Sequence, residues 1–551
     1  MNPMRSLATL VGIGLFATSL SAVAPPSRKD ADKDPILKAM LEELDRSMSE
    51  LQLPGFQKPF FIQYRIEDVE DFQTHASFGA SLSSDFNHAR VARVTVRVGD
   101  YKIDSSTSRG DGVIQLAALE DDPIALRSAL WSATDQAYKS ALAAYAKKQA
   151  ALKQVQTPPQ ADDLSHEQPT LTLDQPIRLH IDEAAWTVRV ARFSGLYRTA
   201  SSLAAQQRDV QYASAVFQAH AVTTWLVNSE GSILRTSAAT YQEGIAAGTQ
   251  AADGMHLDRS YASTGPTIKD LDSPEVFEKR ITDLIASLGQ LRAAPLVEDE
   301  YHGPVLLSAD ASTDTFRALV APAVVATRPP LGTEARTNGP FASSYRTRVL
   351  PDFMDVTDEP GLKSYNGIGL IGAYSVDDEG VPAQTVQLIA SGRLENYLIG
   401  REPVRDFPRS NGHGRAGITG PPAPSIGVLK ISAINGLSDT DLRSKLLAAA
   451  KDAGLKNVYE VETLGPGMTP RLLYRIGPDG ARQLVRGAEL DDLDQRTLRS
   501  SVQAAGKDLW VTNYFGDIPQ TVLAPALLLD DVTIRRANEK NEKLPFYPPP
   551  D

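Results

Sequence analysis

The sequence predicts an α+β protein in two large parts, with mainly antiparallel sheets and packed helices. Three observations carry this reading. At 551 residues the chain exceeds what one hydrophobic core usually serves. Apolar and polar residues alternate at period two in "FFIQYRIEDV" and "ARVTVRVGDYKI", the pattern of strands in a sheet with one wet face. Between such runs lie segments with apolar residues at spacings of three and four, each preceded by a capping residue.

The elements follow in order. Asp34 caps a first helix, Pro35 suits its first turn, and Ile36, Met40, Leu41 and Leu44 form one stripe. Residues 59–103 read as strands. Asp122 and Pro123 open a long helix in which Trp131, Thr134, Tyr138, Leu142 and Tyr145 share a face. "TPPQADDLSHEQPT" then reads as an exposed loop or short linker. Strands resume from about Trp186, and "TTWLVNSEGSILRTSAATYQ" reads as two strands around a turn at residues 228–231. Residues 273–294 form a capped amphipathic helix, and a boundary falls at residues 296–303. Beyond it come short strands and Gly/Pro loops, with one helix capped by Ser438 or Asp439 and stopped by Gly454. The divisions expected are residues 34–295, residues 300–536 and an extended proline-rich tail, residues 537–551.

The first residues have the form of an export signal. Arg5 supplies a positive start, residues 7–24 are apolar, and Ala22-Val23-Ala24 has the small-x-small form of a cleavage site. Residues 1–24 are therefore expected to be a signal peptide, and the mature protein to be periplasmic or extracellular. A net charge of -12 argues against nucleic acid as a partner, and no later segment approaches membrane-span length. The chain has no cysteine, which removes disulfides, thiolate zinc sites and cysteine nucleophiles together.

Few motifs carry chemistry. "GIGLIG", residues 367–372, matches a dinucleotide fingerprint by letter, but Asp377, Asp378, Glu379, Gly380 and Pro382 follow and no helix can run on. The eight histidines are scattered, with no pair at helical spacing. His413 stands out in "RSNGHGR", where two glycines free the backbone and Arg409 and Arg415 flank the ring, a segment able to cradle an anion or a peptide carboxylate. Asp377, Asp378 and Glu379 suggest a metal or acid/base site. Yet adjacent carboxylates repel one another, and Asp-Glu-Gly is ordinary turn chemistry with Gly380 supplying a positive φ.

Residues 377–415, "DDEGVPAQTVQLIASGRLENYLIGREPVRDFPRSNGHGR", resemble the C-terminal domain of the TldD/PmbA family, with its acidic turn, its strand hairpin and its glycine-rich loop ending in Arg. The hairpin is expected over residues 385–389 and 394–398, turning at Ser391 and Gly392. The resemblance extends more loosely over residues 304–536, including "APALLLDDVTIRR", and faintly into the first half through the turn at residues 228–231. It implies a two-domain TldD/PmbA-like architecture and a zinc metallopeptidase lineage acting on peptides or unfolded segments, often as a dimer enclosing a cleft. TldD-type members carry a helix with His-Glu, three residues, then His, and a cysteine ligand. In "TFRALVAPAVVATRPP" Ala318 and Leu319 stand for His-Glu and Ala323 for the second His, while Pro322 would disturb the helix. In lacking the motif the chain is similar to the PmbA-type half of the family.

The expectation is an exported, metallopeptidase-like pseudoenzyme without catalytic zinc or other cofactor. It would bind peptides or unfolded segments, as a homodimer or as a heterodimer with a related subunit. No catalytic residue is assigned; Asp377, Asp378, Glu379, Asn411, His413 and Arg415 either line the cleft or are structural. The alternative expectation is an active peptidase with a metal site rebuilt on His413 and carboxylates such as Asp377 and Glu379.

Overall fold

The computed structural model describes residues 27–107, 112–199, 210–297, 300–538 and 542. The signal segment, residues 1–24, lies outside the described residues, as does most of the tail. In the first half a long hairpin, β1 (Phe61–Ser77) and β2 (Ala80–Arg97), pairs from Phe61 with Arg97 to Ser77 with Ala80. β3 (Val113–Leu116) lies outside β2, while β1 pairs on its other edge with β5 (Tyr212–Asn228), and β5 with β6 (Ile233–Gln250). β4 (Leu171–Leu173) and β7 (His256–Gly265) both pair with β6, completing a seven-stranded sheet.

Alternation decides what covers each face. The even-numbered Ile62, Tyr64 and Ile66 of β1 share a core with Ile36 and Met40 of α1 (Pro35–Glu50) and with Leu130 and Tyr138 of α2 (Pro123–Leu152). Phe72, further along that face, packs with Trp186 and Phe193 of α3 (Glu183–Thr199) and Phe277 of α4 (Pro274–Ala293). The odd-numbered Arg65 and Glu67 turn the other way, toward the second half of the chain, and stay buried.

In that second half β8 (Tyr301–Leu307) leads into α5 (Ala309–Leu319), capped by Ser308. There follow β9 (Met354–Asp358), the short β10 (Ser364–Tyr365) and β11 (Ile368–Gly369), then β12 (Val386–Ala390) and β13 (Arg393–Leu394). A two-stranded ladder joins β14 (Gly414–Arg415) to β15 (Ala423–Pro424). β16 (Val428–Ala433), α6 (Asp439–Asp452), β17 (Val458–Leu464), β18 (Pro470–Ile476), β19 (Arg482–Val485), β20 (Ala488–Asp491), β21 (Val502–Tyr514) and β22 (Gln520–Arg536) complete it. The large sheet runs β13-β12-β9-β16-β22-β8-β17-β18-β19, with β20 and β21 also on β22. Its pairings are antiparallel except β16 with β22 and β8 with β17.

The α+β class and antiparallel dominance hold, and the caps by Asp34, Asp122, Ser273 and Ser438 form as read. Four local readings change. Trp131 is 55% exposed while Thr134 and Tyr138 are buried: the helix turns its indole outward and buries Leu126, Leu130 and Ala133 instead. Trp186 lies in a helix, because Trp186, Val190, Phe193 and Tyr197, spaced by four, three and four, make a buried stripe that outweighs the local Val188/Val190 alternation. The "linker" at residues 157–170 is an anchor: Asp163 is buried, accepting from Asp104 N at 2.8 Å and Lys148 Nζ at 2.6 Å and pairing with Arg328. The hairpin about Ser391 (φ 46°) and Gly392 (φ 72°) is shorter than expected, because after Leu394 the chain leaves its partner and Leu398 bonds to Val324 and Ala326. "GIGLIG" is a short β-hairpin and loop.

Asp34 joins cap to sheet. One oxygen accepts from Ile36 N (2.9 Å) and Leu37 N (3.1 Å), the other from Trp225 Nε1 (2.9 Å) and Arg235 Nη1 (2.6 Å). Asp34→Ala removes a cap and strands a half-buried guanidinium, so stability should fall by about 2–4 kcal/mol. Asp34→Asn, which keeps the capping oxygen, should lose less; urea unfolding followed by Trp fluorescence reads both.

Candidate functional site

The acidic run folds as a turn whose three carboxylates point to three different partners. Asp377 O accepts from Gly380 N at 3.1 Å, and Gly380 takes φ 86°. Asp377 Oδ1 accepts from Glu379 N (3.0 Å) and Val381 N (2.8 Å), and Oδ2 from Gly414 N (2.9 Å). Asp378 Oδ2 accepts from Ala416 N (2.8 Å) and Arg415 Nε (3.3 Å). Glu379 Oε2 accepts from Arg401 N at 2.6 Å. Burial, and then Glu379, pushes Asp377 well above the usual carboxylate range, and burial pushes Glu379 up to about 7.

The glycine loop is the other half of this knot. Asn411 accepts from Ile399 N (2.8 Å) and donates to Tyr397 O (2.8 Å). His413 is fully buried, 0% exposed. Its Nδ1 lies 3.0 Å from Asn411 O and its Nε2 3.2 Å from Asp358 Oδ1. Asp358 also accepts from Gly427 N (3.1 Å) and Val428 N (3.3 Å). Gly412 has φ 75°, and a Cβ there would stand 2.3 Å from Pro382 O; one on Gly414 would meet Glu379 Oε2 at 2.0 Å. The two glycines are thus required by close packing of loop on turn. Arg415 lays its guanidinium on the Tyr374 ring at 3.9 Å.

All six residues singled out in the sequence therefore come together, with most of their polar atoms directed at backbone groups. The carboxylate that meets His413 is Asp358. Its position in β9 gave it no distinguishing signal. Among the described residues no group of three or more His, Asp or Glu is disposed to hold a metal ion.

Ala318 and Leu319 lie in the last turn of α5, Ala318 exposed, and Ala323 is buried in a 3₁₀ turn beyond Val320. The helix ends before Pro322, so the proline terminates rather than kinks it. One face of α5 meets β21 through polar groups: Thr313 and Thr512 hydroxyls at 2.8 Å, and Tyr514 OH donating to Asp314 Oδ1 at 2.8 Å. Arg317 lies over the Tyr514 ring at 4.3 Å and donates to Gln520 Oε1 at 3.3 Å. Asp310 on this face is pushed up to about 6 by burial and then by Asp314. Sequence reading missed this seam, although positions 310, 313, 314 and 317 have the spacing of one helix face.

The knot also joins the halves. Arg401, 2% exposed, donates to both oxygens of Glu230 at 2.6 and 2.8 Å and to Ser165 O at 2.5 Å. Tyr101 OH donates to Glu230 as well, at 2.8 Å. The turn at residues 228–231 thus meets the acidic turn through Arg401. Beside it, Arg65 donates to Gly417 O and Arg93 to Thr419 O, both at 3.0 Å. Glu67 beneath them is pushed up to about 8 by burial, against the pull of Arg65.

Breaking the buried pair from either side, with Arg401→Gln or Glu230→Gln, should cost about 3–5 kcal/mol, and the double variant less than the sum. A double-mutant cycle by chemical unfolding checks this. The raised carboxyls also fix the sign of a pH effect. Folded Glu379 and Glu67 hold protons up to about 7 and 8, whereas the unfolded chain releases them near 4.5. Their contribution is whole below about 4.5 and is lost as pH rises through 7–8. The melting temperature should decline between pH 5 and 9, and Glu379→Gln should flatten the decline.

Residues 300–536 match the family described as the PmbA/TldA metallopeptidase C-terminal domain. No curated protein matches the chain. The fold is similar to that of TldE from Thermococcus kodakarensis, at 13% identity over 90% of this chain and 99% of that one, TM-score 0.62. It is similar also to a putative modulator of a DNA gyrase from Thermotoga maritima MSB8, at 14% identity over 92% and 100%, TM-score 0.59. A third similar structure, a putative modulator of DNA gyrase from Bacteroides thetaiotaomicron VPI-5482, is 11% identical over 93% and 99%, TM-score 0.55. Such identities speak for the fold alone, and the family rests on the domain match: residues 300–536 are a C-terminal domain of the TldD/PmbA family.

Proposed function

We propose that this is an exported TldD/PmbA-family protein that works without catalytic zinc, as a peptide-binding or partner-binding subunit. The carrying observation is the end of α5. At the positions where the resemblance expects His, Glu and His stand Ala318, Leu319 and Ala323, and the chain has no cysteine. Methyl and isobutyl groups neither coordinate a cation nor activate water, so the residues present do not fit zinc there. What the surface offers instead is Arg317 on the Tyr514 ring, the Gln520 amide, and Trp510, 48% exposed on the same face of β21. Guanidinium, amide and exposed indole suit binding of a peptide by hydrogen bonds and stacking. Export is supported by Arg5, the apolar run and the small residues that end it. The alternative, a metal rebuilt on His413, finds no support in the loop, where both ring nitrogens already face oxygens of Asn411 and Asp358.

Metal analysis of the purified protein, coupled to cleavage and retention assays on a peptide library, tests the reading. The expected outcome is less than 0.1 equivalent of zinc, about a tenfold margin below a full site, no cleavage, and retention of a peptide subset. Arg317→Ala with Trp510→Ala should weaken that retention at least about tenfold with the melting temperature kept. Stoichiometric zinc together with cleavage, both lost in His413→Ala, would sink the proposal.

A further inference from the structure

A pocket of about 430 Å³ lies where the anchor at residues 158–163 meets the loops at residues 328–336 and 403–405. Five prolines, Pro158, Pro159, Pro329, Pro330 and Pro403, supply much of its wall. Proline has no N–H, so these stretches offer a ligand apolar surface and no amide donor. Two further polar groups of the wall are spent on the protein itself: Gln160 donates to Pro158 O at 3.0 Å and Thr333 to Pro330 O at 2.8 Å. Recognition of a polar ligand therefore falls to three arginines that line the same pocket, Arg328, Arg336 and Arg405. Arg328 is committed to Asp163 and to Asp162 O (2.7 Å), and Arg336 sends Nε (3.0 Å) and Nη2 (2.7 Å) to Asp406. Asp163, the carboxylate in the lining, is shared between Arg328 and Lys148. Arg405 is different: half-buried, it has no hydrogen-bond or ion-pair partner among the described residues.

The backbone that carries Arg405 is nonetheless fixed. Val404 N and Phe407 N each donate to the other's carbonyl, at 3.3 and 2.9 Å, and close a tight turn around it. Val404 is buried, and the Phe407 ring stands edge-on to Tyr345 and Tyr397 at 5.1 and 5.5 Å. A guanidinium fork held ready beside apolar surface is the complement of a carboxylate that carries an apolar group. We propose that this pocket binds such a carboxylate, the C-terminal residue of a peptide or a free small acid, with its charge on Arg405 and its apolar group on the proline wall. The volume is at the small end of ligand sites, which suits one residue rather than a long segment. The pocket shares no lining residue with the end of α5 and does not depend on binding there.

Calorimetric titration of the full chain with N-acetyl-leucine, and with N-acetyl-leucine amide, which lacks the charge, tests this. The acid should bind saturably and the amide at least about tenfold more weakly. Arg405→Gln should weaken binding of the acid at least about tenfold with the melting temperature kept, because the side chain ties nothing else in the protein. Arg317→Ala with Trp510→Ala should leave the titration unchanged, which separates this pocket from the surface at α5. A titration with 4-methylpentanoate, which has the same side chain and carboxylate without the acetamido group, distinguishes the sources. Equal affinity identifies a free acid and at least about tenfold weaker affinity a peptide terminus; either supports the site. No saturable binding of the acid, an amide that binds equally well, Arg405→Gln without effect, or a loss in Arg317→Ala with Trp510→Ala would overturn the proposal.

Discussion

The architecture turns on burying charge where the two halves of the chain meet. A sheet has two faces, and in the N-terminal half helices take one of them, covering Ile62, Tyr64, Ile66 and Phe72. The opposite face carries Arg65 and Glu67, which must still leave water when the halves close. Two charges moved out of water recover the cost only if hydrogen bonds satisfy their remaining atoms. The C-terminal half supplies these as backbone carbonyls at Gly417, Thr419 and Gly420, and as Arg401 reaching back to Glu230. This requirement explains a glycine-rich loop on a rigid scaffold: bare backbone presents several carbonyls to a guanidinium where side chains would intervene.

The same requirement assigns the acidic turn its role. Three carboxylates in sequence would repel if they shared a solvent pocket, but here each is sent elsewhere. Asp377 ties turn to loop, Asp378 holds the start of β14, and Glu379 caps an amide beside Gly400 and Gly414. Burial raises Asp377 well above the usual carboxylate range and Glu379 to about 7, which lessens the repulsion between them. His413 is bound into this framework through Asp358. A histidine so placed resembles a beam more than a reagent, since neither nitrogen faces a space that a substrate could enter.

What the sequence disclosed, and what it withheld, follow from the range of each interaction. Caps act over three residues, so Asp34, Asp122, Ser273 and Ser438 were legible with their helices. Period-two alternation is local as well, and it identified β1, β2, β5 and β6. Trp186 was misread because a four-residue alternation and a helical stripe overlap there, and only packing against Phe217 at 3.6 Å settles which prevails. Residues 157–170 looked like a linker by composition, but Asp163 and Ser165 acquire their meaning from Arg328 and Arg401, more than 160 and 230 residues away. The candidate site divides the same way. Its turn and its loop each had local signatures; their joining, and the presence of Asp358, Arg65 and Glu67, came from tertiary pairing that no spacing reveals.

The groups that join the halves and the polar groups at the end of α5 form separate hydrogen-bonded clusters. The turn, the loop and the pairing of Arg401 with Glu230 hold the halves together through hydrogen bonds in which Ala318, Leu319 and Ala323 take no part. A substitution at exposed Ala318 therefore leaves the hydrogen bonds of the junction intact. The polar seam of α5 on β21 still needs satisfied donors, and Thr313, Asp314 and Arg317 meet Thr512, Tyr514 and Gln520 to provide them. A scaffold whose stability rests on one cluster and whose surface chemistry rests on another can change its surface groups without disturbing the cluster that holds it together. Arg317 and Trp510, on the exposed side of that second cluster, are therefore free to serve a surface role while the junction holds the fold.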